Sequence, residues 1–207
     1  MSVESLMQNG RSKLHRKRDP IYSPEDWFTE HIDNWKVWLN KFKDMPDLQF
    51  LEIGSYEGRS ARWLLENILT HPASRIYCID VFDRFTEVMT EVKERFNHNI
   101  KPYQDKVTVF MRFSQEALRA DPNLFCPDFF DFIYIDGCHE AYAVLEDAVL
   151  SFRVLKPGGL LVFDDYMLET FGDPKRNPKL AIDAWLACFE GQYELIYKGW
   201  QVCVVKK

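Results

Sequence analysis

Leu51-Glu52-Ile53-Gly54-Ser55-Tyr56-Glu57-Gly58-Arg59-Ser60 is the stretch that decides how this chain reads. It leaves an apolar strand, Gln49–Ile53, and opens a helix, Ser60–Leu69, with apolar residues at helical spacing. Glycines at 54 and 58 let the backbone bend sharply and come close to a ligand, with helix N-terminal amides nearby to receive an anionic group. The spacing is GxxxG, not the GxGxxG of dinucleotide folds, so by itself the segment is either a ligand loop or a structural turn. Asp80 ends the next strand, Arg75–Asp80. An acid about 20 residues past a glycine loop accepts hydrogen bonds from ribose hydroxyls in doubly wound sheets; its other reading is a cap for the next helix. Loop and acid together favour an adenosine-containing ligand, and the absent middle glycine disfavours a nicotinamide oxidoreductase.

Outward from that loop the pattern keeps alternating. Strands at Val107–Met111, Phe132–Asp136 and Leu160–Asp164 are separated by amphipathic helical stretches, which predicts an α/β chain with a parallel sheet buried on both faces. Lys156-Pro157-Gly158-Gly159 reads as a turn. A helix around Leu180–Phe189 precedes two closing strands, Tyr193–Tyr197 and Gln201–Val205, which a short link makes an antiparallel hairpin. Upstream, Ser23-Pro24-Glu25-Asp26 reads as a helix start with Ser23 as N-cap, and Phe28, Ile32, Trp35, Leu39 and Phe42 mark one apolar face of a helix over about 24–43. Residues 21–207 therefore read as a single domain.

The first 20 residues differ. Arg11, Lys13, Arg16, Lys17 and Arg18 face only Glu4 and Asp19, so this stretch carries +3 and the remainder −9 of the net −6. It has too little apolar surface to fold alone and reads as a flexible basic tail. The acidic body counts against nucleic acid as the main partner. No apolar run reaches the roughly 18 residues a membrane span needs. The five cysteines form no CxxC pair and read as reduced thiols of a cytoplasmic protein.

Five motifs in order make the chain resemble the class I S-adenosylmethionine-dependent methyltransferases, and more narrowly the methyltransferase-24 group with its macrolide sugar O-methyltransferases. They are the 51–60 loop, Ile79-Asp80, Tyr134-Ile135-Asp136-Gly137-Cys138-His139, Leu155-Lys156-Pro157-Gly158-Gly159 and Phe163-Asp164-Asp165-Tyr166. The resemblance covers most of 50–207. It implies a doubly wound, Rossmann-like seven-stranded sheet of order 3-2-1-4-5-7-6 with the last strand antiparallel. It also implies S-adenosylmethionine as cofactor, with Glu52, Gly54, Ser55, Gly58 and Ser60 around its methionine part, Asp80 on the ribose, Ser114 and Gln115 at the adenine, and Asp136 beside the reacting end. Arg112-Phe113 stands where relatives often have glycine before the polar pair.

In such a sheet the fourth and fifth strands end side by side, so Asp136, Asp164 and Asp165 can converge. Oxygen-only carboxylate clusters suit Mg²⁺, which would lower an acceptor hydroxyl's pKa and orient it. Adjacent strand residues point to opposite faces, so Asp164 and Asp165 both reach a metal only if the chain has already left the sheet. His139, three residues after Asp136, is either the base that takes the hydroxyl proton or a residue that orients Asp136. The expected reaction is O-methylation of a small-molecule hydroxyl, a sugar or diol. A metal-free reaction with His139 as base and a non-catalytic cofactor-binding protein are the alternatives. A homo-oligomer is left open.

Overall fold

The computed structural model describes residues 19–82, 87–120, 122–169 and 172–207. Its seven-stranded sheet runs β3-β2-β1-β4-β5-β7-β6. The strands are β1 Gln49–Ile53, β2 Arg75–Ile79, β3 Val107–Phe110, β4 Phe130–Ile135, β5 Leu155–Phe163, β6 Tyr193–Lys198 and β7 Val202–Lys206. β1 to β5 are parallel, and β7 enters antiparallel between β5 and β6. The expected order and the antiparallel last strand are both present.

Period-two alternation divides the core. Leu51, Ile53, Ile133, Ile135, Leu161 and Phe163 face one layer of helices: α4 (Ser114–Ala120), α5 (Ala141–Val154) and α6 (Pro178–Cys188). Phe50, Phe132, Tyr134, Leu160 and Val162 face the other: α1 (Ile32–Trp38), α2 (Arg59–Asn67) and α3 (Glu87–Ile100). Because side chains alternate along a strand, Asp136 continues the face of Phe132 and Tyr134, and Asp164 that of Leu160 and Val162. Both strand ends therefore aim toward the α1 side.

Three expectations need correction. The helix expected over 24–43 is shorter and segmented: a 3₁₀ turn at Thr29–His31, then α1, then a second 3₁₀ turn at Asn40–Phe42. Ser23 does not cap it. The first turn has Phe28 at its N-cap, and the Asp26 carboxylate just ahead of it accepts from the backbone N–H groups of Phe28 and Thr29 and from the Thr29 hydroxyl. Ser23 is instead taken by Glu57 of the glycine loop. Second, the Lys156–Gly159 turn is absorbed into β5 as a register break, Phe130 pairing with Leu155 and Phe132 with Leu160. Third, Asp80, Asp136 and Asp164 lie one residue beyond their strands. The tail read over 1–20 lies outside the described residues except for Asp19 and Pro20. Among the described residues no helix is long and apolar enough to cross a membrane. Cys78 and Cys203 are buried, as expected of core thiols, whereas Cys138 and Cys188 are exposed.

Candidate active site

The glycine loop closes over the ends of β1 and β4. Gly54 has φ +84°, and a β-carbon there would lie 1.9 Å from the carbonyl oxygen of Asp136, so no other residue lets the strand ends approach this closely. Gly58 has φ +73° and begins α2; a β-carbon on it would stand 2.9 Å from the Phe96 ring. A pocket opens between this loop, the N-terminal segment and the end of β4, lined by Trp27, Gly54, Ser55, Arg59, Tyr134 and Asp136 among others. The Ser55 hydroxyl is buried without a hydrogen-bond partner.

Asp80 stands at the lip of that loop. One carboxylate oxygen accepts from the N–H groups of both Ser55 and Tyr56, each at 2.9 Å, and the other from Phe82 N–H at 2.8 Å. A carboxylate offers about four acceptor positions, so Asp80 holds the loop and keeps roughly one position for a ligand. Glu52 is fully buried, accepting from the Ser60 hydroxyl at 2.5 Å and the Cys78 thiol at 3.8 Å. Burial pushes its carboxyl up to about 7. Its place is beneath the loop, and Gly54, Ser55 and Ser60 are the expected cofactor residues that line the pocket itself.

Beyond β2 and β3 the same edge carries large exposed apolar side chains, Val81, Met111 and Phe113, beside Ser114 and Gln115. On α5 nearby, Asp147 is a buried acid whose carboxyl burial raises to about 6. Asp147 sits mid-helix among apolar residues and carried no motif, so sequence reasoning passed over it.

At the ends of β4 and β5 the chain gathers acids around one imidazole. His139 Nε2 lies 2.9 Å from Asp165 Oδ2 and 3.8 Å from Asp136 Oδ1. Ligand-capable atoms of these three residues all fall within 4.8 Å of one another. The adjacent Asp136 and Asp165 carboxylates pull the imidazole up to about 10. Burial and the neighbouring Asp164 carboxylate hold the Asp136 carboxyl well above its usual range.

Asp164 does not join that group. It is buried, and its Oδ2 accepts from the Tyr134 hydroxyl and from Gln201 Nε2 at 3.1 Å, while Oδ1 accepts from Asp165 N–H at 2.8 Å. Asp165 reaches His139 because its φ of +59° turns the chain out of the sheet. Tyr134 also lies 3.1 Å from Asp136 Oδ2, so one hydroxyl links two carboxyl groups. The indole of Trp35 donates to Gln201 Oε1 at 2.9 Å, which ties α1 into the same buried chain. Neither Tyr134 nor Gln201 was singled out as a site residue, because each reads as strand core.

The N-terminal segment straps the loop. Glu57, buried, accepts from Arg95 at 2.6 Å and from Ser23 N–H at 2.8 Å, and Arg59 bonds Asp26 at 2.9 Å. Asn99 brackets Ile21 through both its N–H and its carbonyl.

The family model described as "Methyltransferase domain", that of the methyltransferase-24 family, matches residues 51–166. The chain belongs to this methyltransferase family. The match begins at the glycine loop and ends at Tyr166, so it contains the ends of β1 to β5 with Asp80, Asp136, His139, Asp164 and Asp165. Among curated proteins, an uncharacterized protein of Acanthamoeba polyphaga mimivirus is 28% identical over 123 residues, covering 59% of this chain and 53% of the relative. The chain thus spans about half that relative's length. Among solved structures, an O-methyltransferase from Bacillus cereus in complex with SAH (S-adenosylhomocysteine) superposes with TM-score 0.64 at 19% identity, over 92% of this chain and 84% of that one. The MycE methyltransferase of mycinamycin biosynthesis, in complex with Mg, SAH and mycinamycin VI, superposes with TM-score 0.62 at 18% identity, over 89% of this chain and 50% of that one. At these identities the likeness is one of fold.

Proposed function

We propose that residues 21–207 act as one domain that transfers a methyl group from S-adenosylmethionine to a hydroxyl of a small molecule, a sugar or other diol, with help from a divalent cation. The observation that carries this reading is the convergence of Asp136, His139 and Asp165 at the edge of the pocket that Gly54 opens.

The residues fit the cofactor. Gly54 supplies a cradle that any side chain would fill, Ser55 and Ser60 line the pocket beside it, and Val81, Met111 and Phe113 offer an apolar place for a purine. They also fit a hard cation: two carboxylates, Asp136 and Asp165, with neutral oxygen acceptors on the incoming substrate, suit Mg²⁺. When bound, the cofactor supplies an electrophilic methyl group and the cation supplies positive charge beside an acceptor hydroxyl. The Mg and SAH in the MycE structure support the same assignment here.

The chain's own residues do the rest. Asp136 and Asp165 would hold the cation, while Asp164 braces the turn from below. His139 would take the acceptor proton at Nε2. Flanked by two carboxylates the imidazole holds a proton more tightly, and a cation between them would offset that pull and ease acceptance of the hydroxyl proton. Tyr134 and Gln201 keep Asp164 in place. Trp27 and the loop after β5 would border the acceptor.

A metal-free variant of the same transfer has one observation in its favour: His139 already pairs directly with Asp165. The test is methyl transfer to a panel of sugars and diols, read by mass spectrometry, with Mg²⁺ or with chelator. Chelator should abolish turnover and Mg²⁺ restore it, and His139→Ala should slow it roughly 10²-fold or more. Full turnover in chelator would leave His139 and remove the cation.

A further inference from the structure

Asp165 holds a backbone conformation that a non-glycine residue leaves readily. Its φ of +59° lies in the left-handed region, which costs about 1 kcal/mol or more and persists only where the surroundings over-determine it. The bonds along the turn itself are ordinary: Asp165 N–H to Asp164 Oδ1 at 2.8 Å, and Leu168 N–H to Asp165 O at 3.0 Å. The next residue is held much more firmly. Tyr166 is buried, its N–H donates to Trp200 O at 2.9 Å, and its hydroxyl donates to Asp183 Oδ1 at 2.9 Å. Lys179 donates to the Tyr166 hydroxyl at 2.8 Å and to Asp183 at 2.5 Å, and Lys198 donates to Asp183 at 2.9 Å. Both ammonium groups also stand over the Tyr166 ring, 4.7 and 4.8 Å from its centre.

We propose that Asp183, Lys179 and Lys198 clamp Tyr166 and thereby position Asp165, so that its carboxylate meets His139. The inference rests on the reading of Asp165 as part of the reaction centre. The three charged residues come from α6 and from the end of β6 and converge on the one side chain that follows Asp165. Fixing Tyr166 fixes the direction in which the chain leaves Asp165. With Tyr166 released, Asp165 can relax out of the left-handed region, and its Oδ2 swings off the imidazole. His139 is then left with Asp136 at 3.8 Å.

A purely structural ion cluster at this degree of exposure would add little stability, since exposed pairs contribute about 0–1 kcal/mol, and would leave the reaction centre untouched. The clamp makes the opposite pattern: small effects on folding, large ones at His139.

The experiment compares the parent 207-residue chain with Asp183→Ala and with the Lys179→Met/Lys198→Met pair, using Asp165→Asn as reference. The side-chain ¹⁵N signals of His139, assigned by their loss in His139→Gln, are recorded at pH 7 without metal, and Mn²⁺ is then titrated. In both clamp variants the His139 signals should move toward those of Asp165→Asn. Mn²⁺ affinity should drop at least tenfold, with melting temperatures within a few degrees of the parent. A folded clamp variant whose His139 signals coincide with the parent's would overturn the proposal. Should Asp183→Ala fail to fold, the double lysine variant, altered only at half-exposed side chains, decides alone. Absence of Mn²⁺ binding by the parent would remove the cation from the proposed function, and the metal-free His139 comparison would still decide the clamp.

Discussion

The indole N–H of Trp35 donates to the side-chain oxygen of Gln201 across 2.9 Å, both groups fully buried and 166 positions apart in the chain. Gln201 passes the contact on to Asp164. Replacing Gln201 with leucine would leave a buried indole N–H unpaired and deprive Asp164 of one donor. A cost of about 2–6 kcal/mol is expected, from about 1–3 kcal/mol for each of the two buried groups left short. Urea denaturation of Gln201→Leu against the parent checks it; a loss below about 0.5 kcal/mol would mean that the two groups find other partners.

Gly54→Ala tests the cradle. Its new methyl group would meet the Asp136 carbonyl at 1.9 Å from a positive φ, so the ends of β1 and β4 must separate. Calorimetry should find S-adenosylhomocysteine binding lost, and thermal melting should fall as well. Intact affinity would place the cofactor elsewhere.

Asp80→Ala tests the loop's tether. Three backbone N–H groups lose their acceptor, at Ser55, Tyr56 and Phe82. S-adenosylhomocysteine affinity should weaken more than tenfold, about 1.4 kcal/mol. Asp80→Asn, which keeps one acceptor oxygen, should lie between the two. Equal affinities in all three proteins would take Asp80 out of cofactor binding.

Glu52 makes stability depend on pH in a stated direction. Its carboxyl ionises near 4.5 when unfolded and near 7 in the folded chain, because burial penalises the charge. Between those values the folded state holds more protons, so stability falls as pH rises through the window and levels off above about 7. The change is on the order of 3 kcal/mol. Denaturation midpoints measured from pH 5 to 8 should therefore slope less in Glu52→Gln than in the parent. Parallel slopes would show that Glu52 titrates normally.

Much of this was legible in the sequence because it follows local rules. Alternating strands and helices imply parallel β-α units. The glycine spacing marks the loop, and acids read at strand ends collect at one edge. What escaped depends on partners distant in the chain. Ser23 looked like a helix cap, but Glu57 takes it, and the first turn begins only at Thr29 with the Asp26 carboxylate ahead of it. Asp164 and Asp165 looked equivalent as ligands. The sheet's alternation sends Asp164 inward to Tyr134 and Gln201, and a left-handed turn brings Asp165 to His139. No local pattern announces that turn, whose supports lie on α6 and β6.

The antiparallel insertion of β7 beside β5 carries a consequence for how the protein matures. Gln201 enters just ahead of β7 and is among the final side chains to reach the neighbourhood of Asp164. During synthesis the glycine loop and first four strands can leave the ribosome and begin pairing well before the closing hairpin emerges. The cofactor cradle can thus form early, whereas the buried brace under the fifth strand must wait. A nascent chain stalled before the hairpin would expose that strand's edge to other chains. Anything that delays the hairpin should show up as aggregation before it shows up as lost cofactor binding.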